Sequence, residues 1–204
     1  DSMTVAASDG NQWWQLVATA LGLKAKLYGV GGMGFITGTT PYISQLNNAI
    51  ADTAVDKSKV KYVFVNGSTN DIYADKTALG TAIDTWFTLA KTTYPKADFV
   101  VLSGLCGANV RWIDRITDEY RMIDFLFVPQ LLTRHALQFG ANVFTNAHLW
   151  LLYNTSLTQD DGLHPNDAGF KAIAQYIISG IKHGVYAPTP LTMGNSVGVD
   201  TTMS

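Results

Sequence analysis

The sequence predicts an α/β domain, with one parallel sheet and helices packed on both of its faces. Helical and strand-like periods alternate along the chain, and the strand-like runs Tyr62 to Val65 and Phe99 to Leu102 are short and continuously apolar. Such β-branched and aromatic runs mark strands buried on both faces, as a parallel sheet requires. Length agrees, since 204 residues fit one domain and a chain of that size buries roughly 70% of its unfolded surface. The core therefore needs neither a disulfide nor a metal.

The elements follow in order. Trp13, Leu16, Val17, Ala20 and Leu21 recur at helical spacing and stop at Gly22. Lys24 to Tyr28 reads as a short strand running into the glycine-rich stretch Gly29 to Gly34. After Pro41, the residues Ile43, Leu46, Ile50 and Ala54 outline a second helix. Asp75 can cap a third, whose inner face is Leu79, Ala82, Ile83, Trp86, Phe87 and Ala90. Residues 113–139 read as helical, with Pro129 forcing a kink or break and Gly140 ending the stretch. Val143 and Phe144 make a last short strand, and Phe170, Ile173, Ala174, Ile177 and Ile181 share one face of a final helix. The domain spans 1–183, and residues 184–204, rich in Pro, Thr, Gly and Ser, read as an extended tail.

Composition excludes several function classes. Hydrophobic residues are 47% and charged residues 15% of the chain, which argues against disorder and against a coiled coil. A net charge of −2 without a Lys/Arg cluster leaves no electrostatic footprint for nucleic acid. The single cysteine, Cys106, forms no internal disulfide and no cysteine-based zinc site. No apolar run approaches the ~18 residues of a membrane span. Many Thr, Asn, Gly and aromatic residues with few charges fit an extracellular or virion-surface protein, and a cytoplasmic address is compatible too.

In parallel sheets, ligands sit at the carboxyl ends of the strands. The loops there carry the unusual residues. Asp161-Gly162-Leu163-His164-Pro165-Asn166 places a carboxylate three residues before a histidine, across a turn-forming glycine. Asp161 can hold the Nδ1 proton of His164 and leave Nε2 facing a nucleophile. Alternatively the segment is a helix cap, with Asp160 or Asn166 capping and His164 merely exposed. Asn70, after the Tyr62 strand, offers a neutral amide to a developing oxyanion, although Asn and Asp are also ordinary turn residues. Gly29-Val30-Gly31-Gly32-Met33-Gly34 formally satisfies a dinucleotide fingerprint. Its continuation into Phe35–Pro41 is turn-rich, and Asp52 lies in a helical pattern, so that reading lacks its context.

With Ser2 near the start, these residues resemble the GDSL/SGNH hydrolase superfamily. Asp1-Ser2-Met3-Thr4 matches its first block except for the leading glycine. Gly32, with Gly31 as second choice, answers the second block. Gly67, Asn70 and Asp71 fit the third, where Ser68 replaces the usual glycine, and Asp161, His164 and Pro165 complete the last. The resemblance implies a three-layer α/β/α, flavodoxin-like fold and a serine esterase working through an acyl-enzyme. It assigns Ser2 as nucleophile, His164 as base and Asp161 as its orienting partner. The backbone N–H groups of Ser2 and Gly32 and the Asn70 amide would form the oxyanion hole. It implies no metal and no cofactor.

Within the family, low charge and many aromatics suit a carbohydrate esterase that removes O-acetyl groups. Arg111 and Trp112 are candidate sugar contacts, or equally a partly packed surface pair. A lipolytic esterase or thioesterase acting on longer acyl chains is the alternative enzyme. A non-catalytic glycan-binding or adhesion domain is the alternative outside catalysis. The partner expected is a small ester or acetylated glycan, not nucleic acid, and oligomeric state is left open. In the family a strand precedes the nucleophile inside the sheet. The expectation is an upstream apolar strand ending in Gly before Asp1, its place filled by residues outside this numbering, by a neighbouring chain or by the C-terminal tail. Without it, a slot would open between apolar helices.

Overall fold

The computed structural model describes residues 1–5, 11–105, 119–151, 154–184 and 186. Among them, β1 (Tyr62–Gly67), β2 (Asp98–Ser103) and β3 (Asn142–Phe144) form a parallel sheet in the order β1-β2-β3. Register runs from Tyr62 opposite Asp98 to Gly67 opposite Ser103, and β3 joins β2 over Val100 to Leu102. The helices are α1 (Ser2–Val5), α2 (Trp13–Ala20), α3 (Tyr42–Ala51), α4 (Lys76–Thr93), α5 (Glu119–Gln138) and α6 (Asp167–His183).

Successive side chains of a strand point to opposite faces, and here that alternation builds two cores. Val65, Phe99, Val101 and Val143 pack with Leu46 of α3, Ile83 and Phe87 of α4 and Leu132 of α5. Phe64, Val100, Leu102 and Phe144 pack on the other face with Trp13 and Val17 of α2 and Phe170, Ile173 and Ile177 of α6. The result is a three-layer α/β/α domain.

Capping follows the sequence closely. The Asp75 carboxylate accepts from the Ala78 N–H at 2.8 Å and starts α4. Pro129 does not break α5, which runs through it to Gln138. A proline without an N–H costs the helix one bond, the one to the Phe125 carbonyl, and the turns on either side hold. Of the expected 184–204 tail, only Gly184 and Tyr186 are described, and the Tyr186 ring lies edge-on to Phe144 at 5.5 Å.

Lys24 to Tyr28 is a correction. Residues 23–30 contain no strand. A strand exists only by pairing, and this segment lies across a gap from the edge of β1. The gap is a cavity of about 720 Å³, lined on one side by Leu23 to Gly29 and on the other by Tyr62 to Asn66. Trp13 and Val17 of α2 and Tyr42, Leu46 and Ala49 of α3 are among its other walls, and Asp1 stands at it as well. Tyr28 and Lys26 are held from outside, by a 2.8 Å hydrogen bond and a 3.0 Å ion pair to Asp52.

Candidate active site

Three distant stretches meet at the carboxyl end of the sheet. Ser2 opens α1, whose first turn is capped by its neighbour, the Asp1 carboxylate accepting from the Met3 N–H at 3.0 Å. The turn is tied to β1 through Thr4, whose Oγ1 accepts from Asn66 Nδ2 at 3.1 Å. Tyr42 braces the same strand by donating to the Asn66 carbonyl at 2.7 Å.

His164 comes from the loop before α6. Gly162 sits there at φ +71°, a left-handed conformation that glycine adopts without cost, and its N–H donates to the Gln159 carbonyl at 2.9 Å. The turn folds Asp161 back on its own segment. One carboxylate oxygen accepts from the N–H groups of Leu163 (2.9 Å) and His164 (3.0 Å), and the other from His164 Nδ1 at 2.5 Å. With Nδ1–H so engaged, Nε2 is an acceptor, and Ser2 Oγ lies 3.0 Å from it. Asn166, not Asp160, caps α6 by accepting from the Gly169 N–H at 3.0 Å. Capping and the His164 contact thus belong to different residues of one segment, and His164 is not merely exposed.

Burial pushes the Asp161 carboxyl up, but the hydrogen bonds from the His164 ring and from the Leu163 and His164 N–H groups outweigh it. The net displacement is below the ordinary carboxylate range. Asp161 therefore stays anionic beside the imidazole at neutral pH and stabilises any positive charge that forms there.

The glycine loop lies beside the serine. A Cβ on Gly31 would stand 3.8 Å from the Ser2 Cβ, whereas Gly32, at φ +74°, faces open space. Asn70 lies in a short turn after β1 and donates through Nδ2 to the Met33 carbonyl at 2.9 Å, so it is anchored to that loop. No helix opens at the glycines, for residues 31–40 hold only turns, bends and irregular backbone and α3 begins at Tyr42. The dinucleotide reading has no structural basis. Arg111 and Trp112 lie outside the described residues.

In the sequence Asp71 is a turn residue and a matching position of the third block, with no role of its own. The structure buries it fully and surrounds its carboxylate with loop N–H groups. An acidic residue directly after Asn70, in a turn already rich in polar side chains, was the available signal. Among the described residues no cluster of His, Cys, Asp and Glu could hold a metal ion, and no helix is long and apolar enough to cross a membrane.

No family model matches the chain, and no curated protein matches it. Two solved structures are similar in fold. One is 16% identical, with a TM-score of 0.63 over 90% of this chain and 93% of its own. The other, a protein from Slackia heliotrinireducens proposed to be an SGNH hydrolase, is 17% identical, with a TM-score of 0.62 over 88% of this chain and 94% of its own. The chain has the SGNH hydrolase fold.

Proposed function

We propose that this chain is a serine esterase that hydrolyses carboxylic esters through an acyl-enzyme. The observation that carries the reading is the continuous line from Ser2 Oγ to His164 Nε2 (3.0 Å) and from His164 Nδ1 to Asp161 (2.5 Å). His164 takes the Ser2 proton as Oγ attacks the ester carbonyl, then returns it to the leaving alkoxide. Water repeats the sequence on the acyl-enzyme and releases the acid. Asp161 holds the imidazole tautomer throughout. Asn70 and the N–H groups of Ser2 and Gly32 receive the oxyanion in each half-reaction.

The substrate we favour is an O-acetyl group on a carbohydrate. Side-chain exposures of 25% for His164 and 44% for Asp161 support a shallow site, open to a bulky alcohol such as a sugar. The large cavity is lined by Asp1 and Thr4 but not, among the described residues, by Ser2, His164 or Asp161, so it does not open at the nucleophile's own side chain. Turnover of p-nitrophenyl acetate, butyrate and octanoate, beside acetate release from an acetylated polysaccharide, tests both levels. Rates that fall with acyl length, together with acetate release, are expected. Octanoate as the best ester would favour a lipolytic enzyme, and no turnover with any ester would favour a binding domain.

A further inference from the structure

Asp71 is 0% exposed and sits one residue beyond Asn70. One of its oxygens accepts from the Phe35 N–H at 2.6 Å and from the Ser68 hydroxyl. The other accepts from the N–H groups of Ile36 (3.3 Å) and Thr37 (3.0 Å). Gly34 passes so close that a Cβ there would come within 2.3 Å of the carboxylate, so only glycine fits. The fastening is reciprocal, because Asn70 Nδ2 on the same turn donates back to the Met33 carbonyl. No ion pair reaches Asp71 among the described residues. Neutral donors alone hold it.

We propose that Asp71 is the positioning residue of the oxyanion site, fixing the spacing between the Gly31–Gly32 loop and the Asn70 turn. The inference rests on the esterase reading and adds a residue to it. Both proposed classes of oxyanion donor, a loop N–H and the Asn70 amide, stand on segments that meet at this one carboxylate. A carboxylate is acceptor-only at both oxygens, which suits four donors arriving in two pairs. An amide cannot replace it. Whichever way Asn is turned, its NH₂ faces at least one backbone N–H, of Phe35 or of Ile36 and Thr37, and that bond is lost.

Asp71→Asn therefore loosens the donors without removing either of them. Misplacement by about 1 Å costs roughly 10²-fold in rate, so kcat for p-nitrophenyl acetate should fall by about 10- to 100-fold. KM should change by less than about twofold, as for an interaction realised only in the transition state. Titrating Ser2 with a fluorophosphonate counts the folded sites, so a loss confined to stability would leave kcat per titrated site at the wild-type value and overturn the proposal. In an Asn70→Ala background the same substitution should cost less than about threefold, because residues acting through one another are not additive. Full multiplication of the two losses would also overturn it. Should Asp71→Asn fail to fold, Ser68→Ala removes one donor of the four and should lower kcat by about threefold to tenfold at constant KM, while an unchanged kcat would overturn the proposal. Amide exchange at Phe35 and Thr37 needs no substrate. Acceleration in Asp71→Asn is expected, and unchanged protection would refute the clamp even if the wild-type protein hydrolysed no ester, the outcome that defeats the esterase reading instead.

Discussion

The two borders of β1 treat buried polar groups in opposite ways. At its carboxyl end, Ser68 and Asp71 are buried, yet they share their hydrogen bonds with each other and with the loop at Phe35 to Thr37. Along its other edge, which no strand pairs among the described residues, Asp1 Oδ2, Trp13 Nε1 and Asn66 Oδ1 are buried without a partner, and all three residues line the cavity. A buried polar group left unpaired costs about 1–3 kcal/mol. One strand thus supports a satisfied, rigid site at its end and an under-satisfied wall along its side. Hydrogen bonds are complete around the Asn70 turn, and the deficit falls on the side of Asp1 and Asn66, whose remaining polar atoms hold the Ser2 turn.

The largest expected effect assigns chemistry to the rigid end. Ser2→Ala should lower kcat for p-nitrophenyl acetate by roughly 10⁶-fold, the scale on which serine nucleophiles act, with an unchanged melting temperature. Retained turnover would remove Ser2 from the mechanism and leave the comparison without its functional half.

Next comes the open edge. A strand takes up about 4.8 Å of sheet width and about 10 Å of layer thickness, and each residue rises about 3.3 Å. The cavity of about 720 Å³ therefore holds about four or five residues of one strand. Joining a short Val/Ile-rich segment to the nitrogen of Asp1 should raise Tm by about 10 °C, since several kcal/mol move Tm by about 2–4 °C each at this size. A segment of the same length interrupted by proline and aspartate is the control. Equal melting temperatures for the two would mean that the edge does not accept a strand.

The same edge has a pH signature. Where Asp1 is the free terminus, burial pushes its ammonium down from 8.0 to about 5, and the Tyr42 hydroxyl, 3.5 Å away, is its hydrogen-bond partner among the described residues. Between these values the unfolded chain holds the proton and the folded chain does not. Stability with a free amino terminus at Asp1 should therefore rise from pH 5 to pH 8, by up to about 4 kcal/mol. Urea unfolding across that range measures the slope, and acetylation of the Asp1 nitrogen should flatten it. A slope that survives acetylation belongs to other groups.

An effect of similar size to the last lies back at the carboxyl end of β1. Asn70→Ala should reduce kcat by about 10²–10³, or roughly 3–4 kcal/mol, with little change in KM. A change confined to KM would make Asn70 a binding residue.

Much of this was legible in the residues. The helices were readable because Leu79, Ile83, Trp86 and Phe87, or Phe170, Ile173 and Ile177, repeat at the helical period and end at recognisable caps. His164 and Asp161 lie on one short loop, so their contact is a local property. Lys24 to Tyr28 was misread because its pattern is that of a strand, while pairing depends on a neighbour that pattern alone does not supply. The surroundings of Asp71 were hidden for a related reason, since its donors at Phe35 to Thr37 stand more than thirty positions away and reach it only through the tertiary fold. Arg111 and Trp112 lie outside the described residues, so their proposed contact with sugar stays a reading of the sequence.

The cavity also makes the molecule mechanically uneven. Unfolding under hydrostatic pressure is driven by the internal void that disappears when water enters, and close-packed interiors resist it. Among the described residues, the hollow of about 720 Å³ beside β1, open to solvent at Lys24 to Lys26, leaves Leu23 to Gly29 and the inner side of α2 the more loosely packed flank. The Ser68–Asp71 turn has no comparable volume to surrender, since the niche beside it measures about 10 Å³. Squeezed, the protein should yield along the flank of its sheet while the end that holds Ser68 and Asp71 keeps its shape.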